Sequence, residues 1–141
     1  MSKGEEGTVE LFASPVHTAL LKTLDAAALR QRVIADNLAN VDTPGFKKGV
    51  VRFEEELKRA LNAPLPLRTT DPRHFPSPVP LEKVSPRVER DYFTSMRADG
   101  NNVDVDEQMV NLVVNALFYH ALTQIVAGRY ASWHYVINGG R

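Results

Sequence analysis

Between Glu107 and Arg129 the chain carries no charged residue. The run QMVNLVVNALFYHALTQIVAG has neither proline nor a turn cluster. Asp104 stands in front of it as a helix cap, with Glu107 three residues on as in a capping box. Acids lead, Arg129 and Arg141 lie toward the far end, and Gly139-Gly140 closes the element, so one helix is predicted from about Val105 to Asn138. Its seam at alternating steps of three and four is Met109, Leu112, Ala116, Tyr119, Thr123, Val126, Tyr130, Trp133 and Ile137. Val110, Val113, Val114, Leu117, Phe118, Leu122 and Ile125 make the other faces apolar too. A helix apolar all round has to be buried all round. Three environments do that: the centre of a bundle, a membrane span, or a surface formed by other copies or other proteins. The chain supplies too few other helices for the first. Asn111, Asn115, His120 and Gln124 speak against the second, because each would place a polar group in hydrocarbon. The pattern therefore favours association.

A second helical pattern runs from about Val16 to Asn40, with Pro15 at its start. Its seam is Leu20, Leu24, Ala27, Gln31, Ile34, Leu38 and Val41, again in steps of four and three. Leu21, Leu29 and Val33 lie off that seam among charged residues, which reads as a further interface. The two helices are expected to pair as one coiled-coil-like axial domain, giving a mainly α fold. Residues 1–15 read as a flexible lead, and 42–103 as a connector. Within the connector, Phe53–Leu61 reads as a short helix. Residues 62–87 hold seven of the chain's nine prolines and cannot be regular helix. Residues 87–97 read as a strand of a β-hairpin, with a tight reversal at Asp99-Gly100.

The function classes that remain are narrow. Seventeen basic and seventeen acidic side chains leave no net charge, which disfavours nucleic acid as a partner. No cysteine is present, so thiolate chemistry is excluded. No nucleophile elbow or phosphate loop occurs, and His17, His74, His120 and His134 form no pair at metal-ligand spacing. DGNNVDVDE (99–107) fails as a calcium loop, since Val103 and Asp104 occupy positions that need a ligand and a glycine. The reading is therefore no enzyme, no cofactor, no metal and no small-molecule substrate. MSKGEEGTVELFASP carries no apolar core of a secretory signal.

The most specific stretch is NLANVDTPGF. Asn37 and Asn40 can bond nearby backbone and compete with helix continuation. Thr43 before Pro44 disfavours helix, and Gly45 after it permits a type II turn. Phe46 then leaves in a fixed direction as an anchor. The longer run IADNLANVDTPGFK (34–47) resembles the signature of the bacterial flagellar axial proteins of rod, hook and hook-associated structures. LRTTDPRHF (67–75), DGNNVDVDEQM (99–109) and INGGR (137–141) are similar to its proximal-rod members. The resemblance implies a structural subunit whose paired terminal helices pack with neighbouring subunits into a tube. It implies export through the flagellar type III apparatus, a place in the periplasmic rod, and neighbours that include other rod proteins, the adaptor FliE and the export gate. The chain itself would not span a membrane. It further implies that Asn37, Asn40, Thr43, Pro44, Gly45 and Phe46 set the helix end and its connection to neighbours. The helix seams, Leu20, Leu24, Ala27, Ile34 and Leu38 with Met109, Leu112, Ala116, Tyr119, Val126, Tyr130, Trp133 and Ile137, would supply the helical interface. The alternatives are a neighbouring rod position or a small adaptor that binds one helical partner.

Overall fold

A computed structural model describes residues 14–62 and 80–140. The lead up to residue 13 and most of the proline-rich stretch lie outside those residues. Two long helices dominate, α1 (Pro15–Ala39) and α3 (Val105–Ile137), with α2 (Glu54–Leu61), a 3-10 turn at Leu81–Lys83, and strands β1 (Gly49–Arg52) and β2 (Arg87–Arg90) between them.

Local chemistry sets the ends. Pro15 occupies the first turn of α1, where its missing N–H is not needed. Asp104 caps α3, its Oδ1 accepting from the N–H groups of Asp106 (2.9 Å) and Glu107 (3.3 Å). The reciprocal half of the expected capping box is not made. Glu107 turns instead to Lys48, 2.8 Å away, and ties the start of α3 to the connector. At the far end Gly139 and Gly140 both have positive φ. The N–H of Gly140 reaches Tyr135 O (2.9 Å) and that of Gly139 reaches Val136 O (3.1 Å), the paired bonds of a Schellman stop.

α1 and α3 run antiparallel. His17 lies beside Tyr130 and Trp133 at one end, Asn115 bonds α1 in the middle, and Asn37 meets Gln108 at the other end. α1 serves two partners at once. Ala27 and Ile34 are buried on the seam foreseen for it, flanked by half-buried Leu20, Leu24 and Leu38. The adjacent stripe packs a second small core, where Ala26, Val51, Phe53 and Val84 are buried against Leu29, Val33, Leu57 and Ala60. Leu29 and Val33 are thus half-buried against the chain's own connector, not left open as expected. Only Leu21 of the off-seam trio stays exposed.

The strands correct a second expectation. β2 is four residues long and does not turn back on itself at Asp99-Gly100. It pairs antiparallel with β1, Gly49 opposite Arg90 and Arg52 opposite Arg87. The reversal at 97–100, closed by the Gly100 N–H to Arg97 O at 3.0 Å, delivers the chain to the α3 cap.

Candidate functional site: the helix stop and the open face of α3

α1 ends where Asn40 closes it. Its N–H bonds Asp36 O and Asn37 O (both 3.2 Å), while its side-chain amide donates back to Asp36 O at 2.8 Å. Three residues on, the Phe46 N–H donates to Thr43 O at 3.3 Å, with Gly45 at φ +70°. Proline second and a positive φ third is the arrangement of a type II turn. Thr43, Pro44 and Gly45 are exposed, and Phe46 is half-buried beneath the Arg90 guanidinium, 4.8 Å from its ring centroid. That distance suits a cation–π contact.

Asn37 does something other than the local competition expected of it. It is buried and reaches across to β1, donating to Gly49 O (2.9 Å) and accepting the Gly49 N–H (2.8 Å). Its remaining N–H meets Gln108 Oε1 at 3.1 Å. One side chain therefore joins the end of α1, the start of β1 and the start of α3. Gly49 has to be small there, because a Cβ would lie 2.9 Å from Val33 Cγ1.

The loop after α1 is held by two asparagines that the sequence did not mark. Asn101 is fully buried, and its Nδ2 faces three backbone carbonyls: Asn40 O at 3.1 Å, and Val41 O and Thr43 O at 2.9 Å. Its Oδ1 accepts from the Val103 N–H at 2.8 Å. Asn102, equally buried, donates to Asp91 O and Thr94 Oγ1 (2.8 Å each) and accepts the Lys48 N–H at 2.7 Å. Arg97 adds a bond to Val41 O, and the Gly45 N–H reaches Asp99 O at 3.0 Å. The helix stop is thus clamped from within its own chain by residues 97–102. Nearby, the Thr94 hydroxyl holds the Asp91 carboxyl below the usual carboxylate range. Backbone N–H groups of Phe93 and Thr94 and the charge of Lys48 act in the same direction, against desolvation.

The face by which α3 meets α1 shares Leu112, Ala116, Val126 and Trp133 with the apolar seam expected of it and adds two amides. Gln108, Asn115, Leu122 and Val126 are its buried residues, with Leu112, Ala116 and Trp133 half-buried. Met109, Tyr119, Tyr130 and Ile137 are exposed. Two of the four buried positions are amides. Asn115 donates to Ala27 O (3.0 Å) and Gln31 Oε1 (2.7 Å), so the polar Gln31 of the α1 seam has its partner. The remaining circumference is bare. Val110, Val113, Val114, Leu117, Ile125 and Val136 are all more than half exposed. By length and composition α3 is also long and apolar enough to cross a membrane.

The family model for flagella basal body rod proteins matches residues 19–47, the span from mid-α1 through the turn. Flagellar basal body rod protein FlgB of Borrelia hermsii is 41% identical over 120 residues, covering 81% of this chain and 89% of the relative. FlgB of Bacillus subtilis is 34% identical over 133 residues, 94% of this chain and the whole of the relative. FlgB of Escherichia coli is 28% identical over 127 residues, 84% and 90% of the two chains.

Proposed function

The chain belongs to the flagellar basal body rod protein family that includes FlgB, and from that premise we propose that it builds the proximal rod by packing the open face of α3 against neighbouring subunits. It is a structural subunit of the flagellar basal body, associated with other basal-body components, and not an enzyme. The observation that carries the polymerisation reading is a helix of 33 residues with only four of them buried. A single exposed leucine needs no explanation, but a continuous apolar face does. Burying one such side chain contributes ~1.5–3 kcal/mol, so several per contact are enough to hold subunits together. The amide bonds of Asn115 and Gln108 fix α3 on α1 and leave that face aimed outward.

Export by the flagellar type III apparatus, a periplasmic position at the base of the rod, and contact with the adaptor FliE and the export gate belong to the same reading. The relatives are FlgB proteins, which favours that position over a FlgC-like neighbour. The helix-stop residues Asn37, Asn40, Thr43, Pro44, Gly45 and Phe46 then set the direction in which the connector leaves α1 toward the next subunit. The test is mass spectrometry on detergent-washed basal bodies from the encoding organism. Recovery of this chain in stoichiometric amounts with the other rod proteins supports the reading. Its absence beside them, or a soluble complex of fixed stoichiometry with one helical protein, would replace it with the adaptor alternative.

A further inference from the structure

Hydrophobic burial does not choose the row by which α3 meets α1. Gln108 and Asn115 are buried, while the apolar Met109, Val114, Phe118 and Ile125 to either side of them stay exposed. Burying an apolar side chain is favourable, and burying an amide is costly unless it is paired. Asn115 is not even fully paired. Its Nδ2 donates to Ala27 O (3.0 Å) and Gln31 Oε1 (2.7 Å), but its Oδ1 is buried and meets no donor among the described residues. An apolar pair of the same shape would hold the two helices at least as well. An amide at this place calls for a reason other than stability.

The partner it meets supplies one. Gln31 is the single polar member of the α1 seam that runs from Leu20 to Val41. α3 is tied down at its start by the Asp104 cap, the Lys48–Glu107 ion pair and the Asn37–Gln108 bond. That tether holds one end of a helix ~50 Å long. Between the tether and the ring contacts of His17 at the far end, Asn115 makes the hydrogen bonds that join α3 to α1 among the described residues. Two competing arrangements would bury apolar surface just as well. In one, α3 is turned about its axis beyond the tether. In the other, an apolar helix of another subunit lies on the α1 seam. Both leave Gln31 facing side chains that cannot bond it.

We propose that Gln31 and Asn115 are specificity-determining residues of assembly. Their pair selects the chain's own α3, in one rotational setting, as the partner of α1, and so decides which face is left for neighbouring subunits. This rests on the assembly reading above and deepens it. A competitor that leaves one buried amide unpaired is disfavoured about ten- to a hundredfold. Single buried polar residues fix partner and register between paired helices in this way, at a cost in stability.

The test replaces the pair by apolar residues of like shape, Gln31→Met with Asn115→Leu, in chains whose one thiol is Leu122→Cys. Leu122 is buried, and the natural chain has no cysteine. With both amides present, that thiol is expected to resist a maleimide. In the doubly substituted chain it is expected to label about tenfold faster or more, with a urea midpoint equal to or above that of the amide-bearing chain. Continued protection overturns the proposal. So does a lowered midpoint, which is what a merely stabilising pair would give. The exchanged pair, Gln31→Asn with Asn115→Gln, is expected to restore protection, and its failure to do so counts against the proposal. Incorporation of the apolar double variant into basal bodies is expected to fall about tenfold. If labelling rises while incorporation is undiminished, the pair selects the setting of α3 and the assembly reading falls. If labelling stays slow while incorporation drops, the specificity proposal is wrong and the assembly reading stands.

Discussion

Asn101→Ala is the substitution that most sharply tests how the helix stop is held. The Asn101 amide has two hydrogens shared among three carbonyls, and its oxygen serves the Val103 N–H. The carbonyls each keep another donor after truncation: the Thr43 N–H on Asn40 O, Arg97 on Val41 O, and the Phe46 N–H on Thr43 O. Their loss is therefore the ordinary net value of two neutral hydrogen bonds, ~1 kcal/mol each. Val103 has no such reserve. It is buried, and its N–H would be left without a partner, at ~1–3 kcal/mol. The expected destabilisation is ~3–5 kcal/mol, a large share of the ~5–15 kcal/mol that holds a domain together. Urea unfolding of the purified chain, followed by far-ultraviolet circular dichroism, should show a lower midpoint with an unchanged slope. Asn101→Asp separates the two contributions. It keeps an acceptor for Val103 but turns a second oxygen toward three carbonyls, so its folded-state pKa must rise above the unfolded value of ~3.9. Its stability should be greatest at low pH, where the carboxyl is protonated and can donate, and should fall as pH rises through and beyond that value. A loss below ~1 kcal/mol for Asn101→Ala, or a pH-independent Asn101→Asp, would refute the clamp.

Other substitutions probe neighbouring links. Gly45→Val meets no atom within 4 Å at its Cβ, so its cost comes only from the backbone at φ +70°, about 1–2 kcal/mol; amide exchange should show loosening confined to 43–46, and a wild-type exchange pattern would be the contrary result. Gly49→Ala forces Val33 aside beneath the Asn37 bridge and should lower stability by ~1–3 kcal/mol in thermal unfolding; no change would mean that the close approach at 2.9 Å relaxes freely. Asp104→Ala removes the α3 cap and should cost ~1 kcal/mol in the same assay, with Asp104→Asn restoring most of it.

The two long helices could be read from the sequence because their ends are chemically marked: Pro15 at one start, Asp104 at the other, Gly139-Gly140 at a stop. The Thr43-Pro44-Gly45-Phe46 turn was equally legible, since Pro44 and Gly45 leave few conformations. The face on which α3 meets α1 was legible only in part, through Leu112, Ala116, Val126 and Trp133. With apolar residues in every direction, periodicity cannot single out one stripe, and the stripe used is marked by Gln108 and Asn115, whose amides bond α1. Leu29 and Val33 were misread for the opposite reason. The residues that cover them, Val51, Phe53 and Val84, arrive from a connector whose sheet pairs strands nearly forty residues apart, which no local pattern shows. Asn101 and Asn102 resemble any turn asparagines until the carbonyls they bond are brought in from the end of α1 and from residues 91–94. DGNN read as a turn was right about the backbone and silent about the side chains.

The central claim is that the bare face of α3 is covered by other subunits in the rod. Leu117→Cys, the sole thiol in its chain, should react rapidly with a maleimide in the dilute purified protein, where Leu117 is two-thirds exposed. In intact basal bodies the same thiol should be shielded, its labelling falling by an order of magnitude or more, and it should become reactive again when the rod is dissociated. Equal labelling in the free chain and in the intact basal body would contradict the account.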